Sequence, residues 1–215
     1  MRLRFWVVSA LKNLGVIVGA SLLYGVLMWI QMDDGTFSNL LEGLSLYLIL
    51  FGALMTLGIN TGLYKMSVSL ALSFGSTRRE ALVGVHLYRL IPAAAVTALA
   101  SLIFLIPGVE PLFGMGTTMV LSAGLFLLCG AFGSVLGMVS CRFGKTGAIV
   151  AGIAAGVVCL CGGFAFGFAA VDQSWWPRLF QGLGLTWVFL LAAAAIYAIV
   201  SVPEYRFVRS FQDRQ

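Results

Sequence analysis

Few side chains in this sequence could do chemistry, and most fail on spacing. The single histidine, His86, lies three residues before Arg89, so the two share one helix face. A charge at mid-bilayer depth costs roughly 2.5–3.5 kcal/mol, but residues 90–109 are long enough to cross by themselves. His86 and Arg89 are therefore expected near the inner boundary, with Arg89 reaching along its stem to the headgroups; contact with a substrate or partner is the alternative. Gly144-Lys145-Thr146 ends like a phosphate-binding loop. Val139 stands where that loop needs its first glycine, no strand precedes it and an apolar run follows, so the lysine is read as a topological cation. Cys159 and Cys161 sit two apart, on different helix faces; with Cys129 and Cys141 they read as small packing residues, not as a redox or zinc site. Neither G-x-S-x-G nor H-E-x-x-H occurs, so no protease is expected.

The elements that must position these residues follow from composition. Of 215 residues, 60% are hydrophobic and 10% charged, against about 25% charged in a soluble domain, and the mean hydropathy is +1.02. A soluble fold and a disordered chain are both excluded. The net charge of +5 would prompt a nucleic-acid reading in a soluble protein, but here the cations sit between apolar runs, where they set orientation.

Six runs are long enough for about 30 Å of hydrocarbon: 14–30, 44–63, 87–106, 119–140, 148–171 and 185–202. Continuous apolarity predicts helices rather than barrel strands. The first run is too long for a leader's apolar region and no A-x-A site follows, so it is expected to remain as a membrane helix. Arg2, Arg4, Lys12, Lys65, Arg78, Arg79, Arg142, Lys145, Arg206, Arg209 and Arg214 fall on one side of such a bundle, and only Arg178 on the other with Asp33, Asp34, Glu110 and Asp172. The positive-inside rule then places both termini in the cytoplasm. The expected fold is an all-α membrane protein of six transmembrane helices, one domain over 1–215, multi-pass in the plasma membrane.

Finer expectations attach to this frame. Residues 1–13 space Leu3, Trp6, Val7, Ala10 and Leu11 opposite Arg2, Ser9, Lys12 and Asn13, as in an amphipathic helix lying in the interface. Pro203 is expected to stop the sixth helix, leaving Tyr205–Arg209 as an aromatic and basic anchor. Gly15/Gly19, Gly58/Gly62, Gly133/Gly137, Gly152/Gly156 and Gly163/Gly167 predict close helix packing, with the fourth and fifth runs in the interior. Thr56, Asn60 and Thr61 suit hydrogen bonds across helices. Glu42, Asp33 and Asp34 make the outer mouth acidic. Trp175 and Trp176 mark an interface belt.

The most informative stretch is 65–80. An apolar half, Val68, Leu70, Leu72 and Phe74, turns polar at Gly75, which predicts a short surface helix over 69–80, broken by Gly75 and restarted at Thr77 as an N-cap. It would present Phe74 beside Arg78 and Arg79, although these arginines also serve orientation alone. The run Leu72-Ser73-Phe74-Gly75-Ser76-Thr77-Arg78-Arg79-Glu80 resembles the coupling-helix segment of small type-2 ABC (ATP-binding-cassette) transporter permeases, whose pattern is a serine-leucine stretch followed by S-F-G-x-T-R-[RK]-[ED]. Ser76 departs from the small apolar residue commoner there. Arg142-Phe143-Gly144-Lys145 is similar to the family's R-F-G-K-x-G loop between the fourth and fifth spans.

The resemblance implies a permease subunit, an exporter half, that pairs with a second copy or a homologous permease and sits on cytoplasmic ABC ATPase subunits. The 69–80 segment would dock on the ATPase. ATP and Mg would be held by that partner chain, with no cofactor on this one, and Trp175 and Trp176 would belong to a partly re-entrant gate. A six-helix substrate-binding subunit of a vitamin-type importer, or a membrane anchor or sensor partner without transport, are the other readings.

Overall fold

A computed structural model describes residues 2–30, 37–109, 114–171 and 183–210. Every regular element among them is helical: α1 (Arg2–Ile30), α2 (Phe37–Leu63), a π-helical turn (Tyr64–Val68), α3 (Ser69–Ser73), α4 (Arg78–Ile103), α5 (Met115–Val171) and α6 (Leu183–Arg209). Helices satisfy every backbone polar group within one segment, as apolar surroundings demand. Five are long and apolar enough to cross a membrane: α1, α2 prolonged through α3, α4, α5 and α6. This is the make-up of a multi-pass membrane protein.

α5 is a hairpin. At Gly144 the backbone takes φ 59° and ψ −131°, close to a region open essentially to glycine alone. Three residues on, a Cβ placed on Gly147 would lie 2.5 Å from the Val139 carbonyl oxygen, whereas eight residues of straight helix would separate them by about 12 Å. The second arm folds back along the first, and Ala155 packs, like Leu125 and Leu136 of the first arm, against the cluster of Ala53, Leu57 and Cys129.

The helix ends gather at the end of the bundle that carries the 74–77 and 144 turns. One apolar cluster there joins Trp6 and Ala10 of α1, Leu63, Tyr64, Val68 and Ala71 of the prolonged α2, Val85 and Tyr88 of α4, and Val208 of α6. Two smaller clusters, around Val96 with Phe126 and around Leu57 with Cys129, fill the rest of the bundle.

Four expectations need correction. Residues 2–30 form one unbroken helix, so 1–13 is not a separate interfacial helix. Trp6 is fully buried, with its indole on the bare Cα of Gly84, and this tertiary packing extends the helix back toward the N-terminus. Pro203 does not stop α6, which runs on to Arg209; the carbonyl it leaves without a donor belongs to Ile199 on the exposed face. Ser69–Ser73 is not a detached surface helix. It continues α2 through the π turn, and the break lies after it, at 74–77.

The fourth correction concerns glycine. Gly133 and Gly137 do pack closely, facing Leu57, Asn60 and Tyr64 of α2. Gly15, Gly19, Gly58, Gly152 and Gly156 meet nothing within 4 Å, so the start of the second α5 arm turns its glycines outward. Gly163 and Gly167 lie on α5 where only the course of the backbone is described.

Candidate functional site

The turn between α3 and α4 is closed from both sides by local hydrogen bonds. Gly75, at φ 73°, donates to the Leu72 carbonyl at 2.9 Å and Ser76 to that of Ala71 at 3.0 Å; together these form a Schellman motif. Thr77 then caps α4. Its Oγ1 accepts from the Glu80 amide at 3.2 Å while its own amide donates to Glu80 Oε2 at 2.8 Å, a complete capping box. The break at Gly75 and the restart at Thr77 thus stand where the sequence places them.

This turn holds its largest side chain outward. Phe74 is 74% exposed, and Met66 and Leu70, at i−8 and i−4, extend the same face. Arg78 and Arg79 are exposed beside it, Leu72 is half-buried against the core cluster, and Ser73 donates to the Leu70 carbonyl at 2.7 Å. The second turn carries Phe143, 61% exposed, with the Arg142 guanidinium 5.8 Å from its ring centroid and Lys145 exposed. Both turns sit at the same end of the bundle. Trp175 and Trp176 lie outside the described residues.

A second group of residues meets inside the bundle, about 16 Å along α4 from Arg78. Arg89 is not extended toward the headgroups: it is buried and grips Glu204 of α6 with two nitrogens, Nη1 to Oε2 at 3.0 Å and Nη2 to Oε1 at 2.9 Å. Its Nε donates to Asn60 Oδ1 at 2.8 Å and Nη2 to the Tyr64 hydroxyl at 3.0 Å. Tyr64 in turn donates to Glu204 Oε1. One turn closer to α4's start, His86 Nδ1 lies 2.8 Å from the Tyr197 hydroxyl of α6. Asn60 therefore does bond across helices, whereas Thr56 and Thr61 donate back to Gly52 and Gly58 of their own helix.

The glycines of α5 make this meeting possible. Gly137 lets the α5 backbone approach the Asn60 carbonyl, where a Cβ would stand 2.6 Å from it, and Gly130 faces Tyr197 and Arg89. The cluster is closed. The space beside it, between α1, α2 and α4 and bordered by Asn13, Asn60 and Arg89, is a pocket of about 10 Å³, no more than one water occupies. Such an arrangement ties helices together.

Sequence reasoning missed Glu204, Tyr64 and Tyr197. The signal was available: Ala193, Tyr197, Glu204 and Val208 recur at helical spacing straight through Pro203, and a buried arginine requires an acid. No protein family, curated protein or solved structure matches this chain.

Proposed function

We propose that this chain is the membrane-spanning permease subunit of an ATP-driven transporter of the type-2 ABC kind, an exporter half in the plasma membrane whose 74–80 turn is the docking handle for a cytoplasmic ATPase. The observation that carries the reading is the turn itself. Its backbone is fixed by a Schellman motif and a capping box, and what it holds out is an apolar knob, Phe74, between an apolar stripe and two arginines. A flexible loop would absorb force, whereas a turn stapled to two long helices transmits it.

Helix lengths and charge support the same orientation. Leu40–Ser73 spans 34 residues, about 51 Å of helix, some 20 Å more than the roughly 30 Å of hydrocarbon. In this reading the two arms of α5 cross separately, six crossings in all, with both termini on the side of the 74–77 and 144 turns. That side collects the cations, which makes it cytoplasmic. A second copy or homologous permease completes the translocation path, and ATP and Mg belong to the ATPase.

The test is purification of the tagged chain in mild detergent with its associated proteins. An ABC ATPase is expected to copurify, and Arg78→Glu/Arg79→Glu is expected to release it without lowering the chain's thermal stability. If no ATPase is retained by the wild type, or if the double variant retains it as well as the wild type does, the docking role is wrong.

A further inference from the structure

Force arriving at the 74–79 turn has two helices to travel down, and they differ in stiffness. α2 is interrupted close to the turn by the π-helical segment Tyr64–Val68, whose wider winding and poorer stacking mark a local departure from the regular ladder. α4 starts on the Thr77–Glu80 capping box and is regular helix until Pro92, which removes an N–H and so one rung. Arg89 stands three residues before that proline. The stiff stub of α4 therefore ends where its side chain grips Glu204, and His86 reaches Tyr197 of the same helix α6 one turn earlier.

The geometry points to a latch. The Arg89–Glu204 pair, seconded by His86–Tyr197 and tied to the π turn through the Tyr64 hydroxyl, is where displacement of the 74–79 turn passes from α4 to α6. Asn60 and the Tyr64 hydroxyl orient the guanidinium from the α2 side, leaving its remaining two-pronged edge for Glu204. Glu204 is a positioning residue in this scheme, and the inference rests on reading the turn as a handle. α1 is tied to α4 by other contacts, Trp6 on Gly84 and Asn13 on Tyr88, so it should follow α4 whether or not the latch is intact.

That difference supplies the test. In a background with Cys129, Cys141, Cys159 and Cys161 replaced by alanine, spin labels are placed on Ser76→Cys with Ser210→Cys, and on Ser76→Cys with Val8→Cys. Distances are read by pulsed dipolar spectroscopy in lipid nanodiscs. Both pairs should give one narrow distance in the otherwise native chain. Glu204→Gln should replace the narrow 76–210 distance by a broad distribution and leave 76–8 unchanged; Tyr197→Phe, which removes only a hydroxyl, should broaden 76–210 to a smaller extent. An unchanged 76–210 distance in Glu204→Gln overturns the latch, and so does equal broadening of both pairs, which would mark general loosening. If Glu204→Gln does not fold, Tyr197→Phe decides by the same criterion. None of these measurements needs an ATPase, so failure to find one would remove the handle while the distances still judge the latch.

Discussion

The two Phe-Gly turns at one end of the bundle share letters and differ in construction. Phe74-Gly75-Ser76-Thr77 is held by hydrogen bonds on both sides of its glycine, and the glycine's φ of 73° is only part of what fixes it. Phe143-Gly144-Lys145-Thr146 reverses the chain at a glycine held close to a glycine-only conformation, with Gly147 then admitting the Val139 carbonyl. Thr146 lies within α5 and is exposed. Similar sequence has produced a capped turn in one place and a glycine-dependent crease in the other. What separates them is a carboxylate three residues after the threonine, Glu80 in the first case and Ile149 in the second.

Substitutions that attack each turn at its own support should break this comparison apart. Gly147→Ala is expected to cost most, at the upper end of the roughly 1–3 kcal/mol of an overpacked contact, because the clash is with backbone that cannot rotate away; unfolding in mixed micelles followed by tryptophan fluorescence would measure it. Gly144→Ala should cost about 2 kcal/mol in the same assay, and Gly75→Ala about 1 kcal/mol, since a left-handed helical conformation is less forbidding to alanine. Thr77→Ala should also lose about 1 kcal/mol with the cap, whereas Thr146→Ala should stay within about 0.5 kcal/mol of the wild type. Equal losses for the two threonines would show that the capping box contributes nothing. The smallest effect on stability belongs to Phe74→Ala and Phe143→Ala, both exposed, and here the turns should diverge in binding. Phe74→Ala should reduce ATPase retention in the copurification assay and Phe143→Ala should leave it unchanged.

Local rules made the braced turn legible. The T-x-x-E spacing at Thr77 and Glu80 and the glycine before it fix their own geometry with no help from the rest of the chain. The apolar runs were equally legible as membrane-crossing helices, since their length is a property of each run alone. Legibility failed where tertiary packing decided. Trp6 belongs to a continuous helix because Gly84 offers it a socket, and no periodicity within 1–13 reveals that. Pro203 reads as a stop only if its neighbours have nothing to bury; Glu204 and Val208 do, so α6 continues. Sequence alone sends Arg89 toward the headgroups, and the helical recurrence of Tyr197, Glu204 and Val208 that points to its acid is obscured by tail residues whose other charges serve orientation. Glycine spacing in the fourth and fifth runs is alike, and only the packing shows Gly133 and Gly137 turned inward with Gly152 and Gly156 turned out.

The ion pair in the bundle joins residues 115 positions apart, so its acid is made well after its base. At about 5–20 residues per second, a ribosome leaves the new arginine without its counter-ion for on the order of ten seconds after α4 has emerged. A chain cut short before α6 never acquires that counter-ion, and an unpaired charge among apolar helices is costly. An intermediate that lacks α6 therefore carries a stranded guanidinium, which Glu204 neutralises once that helix is in place.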